Sequence, residues 1–171
     1  GRDLVLRAIG WHNRAALPTE ADPTSLFFAR LLRDADKLDI WRVVTDYYRQ
    51  DNPVPNAALE MGLPDTPAIS DVVTADLLAG RIVDIRQVQN LNDLKLLQVG
   101  WVFDLNFPPS YRRLRDQGYL DIIRASLPGT ETVNRIFAAV NKVLAREGTA
   151  KTPVAELPDE SDSASEKNGE S

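Results

Sequence analysis

Two side chains in this sequence have the types and spacing to hold a divalent metal: His12, the only histidine among 171 residues, and Asp36, inside the run Leu31-Leu32-Arg33-Asp34-Ala35-Asp36-Lys37-Leu38-Asp39-Ile40. At about 100° per residue, a helix through this run sets Ala29, Leu32, Ile40 and Val43 within about 40° of Asp36. Asp36 is therefore expected in the middle of an apolar stripe. A carboxylate there costs several kcal/mol unless a cation or hydrogen-bond donors compensate it. A divalent metal is the compensation favoured here, and a structural carboxylate that pairs with an arginine or caps a neighbouring helix is the alternative. Neutral imidazole and carboxylate together suit Mn, Fe, Mg or Zn.

The flanking charges are expected to do simpler work. Asp34 projects about 160° from Asp36, beside Arg30, as an exposed pair, and Asp39 lies about 60° to the other side, within reach of Arg42. Lys37, about 100° beyond Asp36, is either a phosphate contact or a surface lysine. Tyr47 falls close to the direction of Asp36 and is a candidate for the wall of the same cavity. Ser25, Ser70 and Ser110 each precede or begin a helix, where capping explains them better than nucleophilic catalysis.

Trp11-His12-Asn13, a short proline-containing loop and then Arg33-Asp34-Ala35-Asp36-Lys37-Leu38-Asp39 resemble the later part of the HD-domain superfamily of metal-dependent phosphohydrolases. The resemblance is specific over residues 4–50 and loose beyond. Asp36 matches the family's final metal-binding Asp in its Ala-Asp-Lys/Arg-Leu setting, and His12 resembles one of its auxiliary histidines. The His-Asp doublet that is most diagnostic of the family has no counterpart, since His12 is followed by Asn13. The resemblance implies an all-α core, a divalent metal held by Asp36 and His12, and hydrolysis of a nucleotide or other phosphate ester by metal-activated water. Lys37, Arg112 and Arg113 are its candidate substrate contacts, with Arg81 and Arg115 as further cations. The sequence opens at Gly1 without an initiator Met, inside what reads as a helix. Two expectations follow: the missing ligands lie in an N-terminal segment or another chain, or the domain is a degenerate, non-catalytic module for protein binding or regulation.

The elements that must position these residues read as helical. Residues 2–13 form the last turns of a helix, with Leu4, Ala8 and Trp11 on one side and Val5, Ile9 and His12 adjacent. Asp22 as N-cap and Pro23 at the first helical position start a long helix to about residue 50. Residues 53–67 are irregular, with one helical turn at 56–61. Further helices are expected over 70–79, from Asn90 or Asn92 to about 104, from Pro108 or Pro109 to 126, and from Thr130 to 146. Only residues 81–87 look extended, through Ile82-Val83-Asp84-Ile85, with no second strand to pair with. Trp101, Phe103, Phe107 and Tyr111 are read as core packing at a helix junction, with a pocket wall or dimer contact as the alternative. The expected architecture is an all-α, HD-domain-like bundle of five to six helices.

Composition sets the outer bounds. The net charge of −5 comes entirely from residues 147–171, where seven acids face two bases, and residues 1–146 balance at 18 against 18. A neutral folded part lacks the basic surplus that drives phosphate-backbone binding, so no nucleic-acid partner is expected. The Ser-, Glu-, Asp- and Pro-rich residues 147–171 are expected to be a disordered tail, leaving 1–146 as one domain. No apolar run reaches the roughly 18 residues of a membrane span, so a cytoplasmic location without membrane contact is expected, with a homodimer open. The absence of cysteine excludes disulfides and cysteine-ligated metals.

Overall fold

The computed structural model describes residues 2–12, 14, 16–50 and 54–150. It is all-α. The helices are α1 (Arg2–Trp11), α2 (Pro23–Tyr48), α3 (Ala57–Glu60), α4 (Asp71–Leu78), α5 (Leu91–Gly100), α6 (Pro108–Asp116), α7 (Tyr119–Ala125) and α8 (Glu131–Thr149), with 3-10 turns at Ile85–Gln87 and Trp101–Asp104. The two helices beyond the expected five or six are the single turn α3 and the second half of the segment expected to be continuous over 108–126. Gly118, at φ 65°, breaks that segment into α6 and α7. Residues 81–87 form no strand, and their second half closes into the 3-10 turn. The last helix runs on to Thr149 instead of stopping at Arg146, and the rest of the expected tail lies outside the described residues.

Local signals account for most helix starts. The Asp22 carboxylate accepts the Ser25 N–H and Pro23 occupies the first turn. Asn56, Asn90 and Thr130 cap α3, α5 and α8 through their side chains, each satisfying N–H groups that the helix cannot. Ser70 stands at the N-cap of α4 but does not cap it with its side chain. Its hydroxyl and its N–H donate to Asp93, which is fully buried and also accepts from Gln89 and Asn90. That carboxylate ties the start of α4 to the start of α5.

The core joins α8 to the rest. Val133, Ile136, Phe137, Val140 and Leu144 are buried on one side of α8, the three-and-four spacing of an amphipathic helix. That side packs on α4 and α6, and α2 packs on α1, α6 and α7. Trp41 of α2 is fully enclosed and donates its indole N–H to the Gln98 carbonyl of α5. The junction aromatics split their roles: Tyr111 is buried with its hydroxyl on the Leu105 carbonyl, and Trp101 stays partly exposed, packed edge-on to Trp41.

On α2 the buried side is not the one expected. Ser25, Ala29, Arg33, Lys37, Trp41 and Thr45 follow one another at intervals of four and are all buried, together with Asp34. Of the expected stripe only Ala29 is buried; Leu32 and Ile40 are half-buried and Val43 is 38% exposed. The inward stripe is thus turned about one residue, or about 100°, from the apolar positions. Charged side chains occupy it, so hydrophobicity alone pointed to the wrong phase.

That shift reverses the expectation for Asp34. Instead of forming an exposed pair with Arg30, Asp34 is 1% exposed. Its carboxylate accepts from the Asn106 N–H at 3.0 Å, the Asn106 side-chain amide at 2.9 Å and the Phe107 N–H at 3.1 Å. These donors lead into α6, whose own N-cap residue, Phe107, has no side-chain acceptor. Asp34 thus supplies, from α2, the acceptor and the negative charge that the start of α6 lacks. Asp39 is as expected, exposed and paired with Arg42.

Candidate functional site

A cleft of about 670 Å3 opens between α2, the end of α1, residues 82–86 and Trp101. His12 and Asp36 both line it. Asp36 is half-buried, at the edge of the packed face and not in its middle, and its carboxylate forms no hydrogen bond or ion pair among the described residues. His12 follows the last turn of α1, and its Nδ1 lies 2.7 Å from the Ile9 carbonyl. A carbonyl only accepts, so Nδ1 carries the proton and, in the neutral ring, Nε2 keeps a free lone pair. A backbone carbonyl on one nitrogen is how metal-binding imidazoles are commonly oriented through the other.

The position of His12 is fixed from α2. Arg33, only 6% exposed, donates to the His12 carbonyl at 3.1 Å and to the Arg14 carbonyl at 2.5 Å. A guanidinium on the carbonyls that end a helix is electrostatically favourable as well as hydrogen-bonded. Its remaining arm reaches Asp104 Oδ2 at 2.5 Å, and Lys37 Nζ reaches the same oxygen at 2.8 Å. Two buried cations thus share one carboxylate oxygen. The cluster carries a net positive charge, and Lys37 has donor capacity without a partner among the described residues.

The donor chemistry of His12 and Asp36, one imidazole nitrogen and one carboxylate, fits a divalent transition metal. Their number does not complete a site, since no group of three or more His, Asp or Glu side chains able to hold an ion occurs among the described residues. Asp104 also lines the cleft but is committed to Arg33 and Lys37.

The other candidates lie elsewhere. Arg112 is half-buried and donates to the Gly148 carbonyl at the end of α8, Arg113 is exposed, and neither lines the cleft. Arg81 pairs with Asp76 and Arg115 with Asp116. Tyr47 faces away from the cleft: its hydroxyl is 2.5 Å from Glu60, in a separate cavity of about 220 Å3. Sequence reasoning missed Arg33, Asp104 and the 82–86 wall. The burial of Arg33 and Lys37 between Ala29 and Trp41 has no counterpart in the hydrophobic pattern, so the sequence offered no signal for the first.

At the rim, Asp84 accepts from the guanidinium of Arg86 and from its backbone N–H, which caps the 3-10 turn. The Arg86 guanidinium first, and its N–H second, hold the Asp84 carboxyl down at about 2. A depressed carboxylate contributes stability that is present above its ordinary value near 4 and is lost as pH falls through about 2. An NMR titration of the Asp84 carboxyl is expected to show a midpoint near 2, and Arg86→Ala to move it back towards 4. A midpoint near 4 in the parent protein would mean that the pair does not persist in water.

No family model, curated protein or solved structure matches the chain.

Proposed function

We propose that the cleft is part of a metal-dependent phosphohydrolase site for a phosphate ester such as a nucleotide, of the HD-domain kind that the sequence resembles. The observation that carries this reading is the meeting, in one cleft, of an uncommitted carboxylate and an oriented imidazole with a buried surplus of positive charge. His12 and Asp36 would hold the ion, and the remaining ligands would come from outside these two side chains, in further polypeptide or another chain. A divalent ion supplies Lewis acidity, making water a stronger acid and drawing charge from a phosphate oxygen. Lys37 and Arg33 hold the phosphoryl group electrostatically, with Lys37 as the direct donor and Arg33 as the residue that positions His12. Asp104 keeps both cations in place while leaving their combined charge only half neutralised.

Mn2+ at ten times its dissociation constant is expected to raise the melting temperature by about 4 °C, and a chelator to reverse this. Asp36→Asn is expected to abolish the response. Turnover of p-nitrophenyl phosphate that survives Asp36→Ala would end the enzyme reading. A second reading, a non-catalytic helical module for protein binding, is favoured by Val5, Leu6 and Ile9, which are 56%, 57% and 52% exposed along α1. It predicts stability indifferent to both metal and chelator.

A further inference from the structure

The cleft is far larger than a phosphate needs, and its lining beyond the cationic cluster is mostly apolar, interrupted by the Asp84–Arg86 ion pair. Its wall is the segment that the sequence marked as unlike the rest, residues 81–87. Val83 is 7% exposed and plugs into the core, and its backbone comes so near α5 that a Cβ on Gly100 would lie 3.8 Å from the Val83 nitrogen. With Val83 turned inward, its neighbours Ile82 and Ile85 are left 40% and 46% exposed, and both line the cleft. Asp84 holds the turn that follows by accepting the Arg86 N–H at 2.9 Å. Trp101 and Ile40 line the same cleft. Two water-exposed isoleucines on an anchored backbone, in one cavity with a partly exposed indole, form a preformed apolar slot.

Resting on the phosphate reading of the cationic end, we propose that this slot selects the organic part of the ester: a flat, apolar group such as an aryl ring or nucleobase, in preference to a polyol. Ile82, Ile85 and Trp101 are its specificity-determining side chains. An amphipathic anion of this kind satisfies both ends at once. Its phosphate meets the charge surplus of Lys37 and Arg33, and its ring removes Ile82 and Ile85 from water. A sugar phosphate satisfies only the first, because its hydroxyls lose water against the isoleucines, and the polar groups on the same wall, Asp84 and Arg86, are already paired with each other.

Calorimetric titration of the full chain with phenyl phosphate, glycerol 3-phosphate and inorganic phosphate, in the presence of Mn2+, tests this. Phenyl phosphate is expected to bind about tenfold more tightly than glycerol 3-phosphate. The double substitution Ile82→Ser and Ile85→Ser should bring the two esters within about twofold of each other, and Ile85→Ser alone should reduce the preference to about threefold. Equal affinities in the parent protein, or a preference that survives the double substitution, would overturn the apolar slot and leave the anion site standing. Failure of all three probes to bind would remove the phosphate reading and this proposal together.

Discussion

Asp104→Ala is expected to destabilise the protein by about 4 kcal/mol, because it leaves the guanidinium of Arg33 and the ammonium of Lys37 buried without a counter-charge. Arg33 keeps its two carbonyl acceptors at residues 12 and 14, and Lys37 faces a cleft that water can enter. These retained contacts keep the cost from being larger. Adding Lys37→Met removes one stranded charge and is expected to recover about 1–2 kcal/mol, since an apolar side chain of similar length suits the site better than an unpaired cation. Urea unfolding of the three proteins at neutral pH measures this. A loss under 1 kcal/mol for Asp104→Ala would mean that solvent already screens the cluster.

Asp34→Ala is expected to cost about 3 kcal/mol by a different route. Three donors, the Asn106 and Phe107 N–H groups and the Asn106 amide, lose a common acceptor, and α6 loses the charge at its start. Asn106 is exposed and its donors can turn to water, so the Phe107 N–H carries most of the penalty. Asp34→Asn keeps one acceptor oxygen and is expected to lose about half as much. Denaturation at pH 7 compares them. Equal stability of Asp34→Ala and the parent would restore the picture of Asp34 as an ordinary surface acid.

These two predictions concern residues whose importance the sequence hides. Arg33 and Asp104 stand 71 positions apart, and Asp34 and Asn106 stand 72 apart. No local pattern links them. Hydrophobic periodicity presumes that the buried side of a helix is apolar, and on α2 Arg33, Asp34 and Lys37 break that presumption, so the inward face was placed about 100° off. Local determinants are legible for most helix starts, Ser70 excepted, whose side chain turns to Asp93. Asp22 with Pro23, Asn56, Asn90 and Thr130 mark helix starts through hydrogen bonds within three residues. Gly118 is itself a local stop signal, a glycine in the left-handed region just past α6, and helical periodicity alone passes over it. His12 and Asp36 were legible as residue types, and the cleft that both line could not be deduced from either helix alone.

The divalent ion proposed to be shared by His12 and Asp36 can be observed directly. Because His12 is the only histidine in the chain, its ring protons give uncrowded NMR signals, and Mn2+ bound at the imidazole broadens them selectively. Substoichiometric Mn2+ is predicted to erase the His12 ring signals in the parent protein and to leave them sharp in Asp36→Ala at the same concentration. Ring signals that stay sharp in the parent, or that broaden equally in Asp36→Ala, would contradict the account.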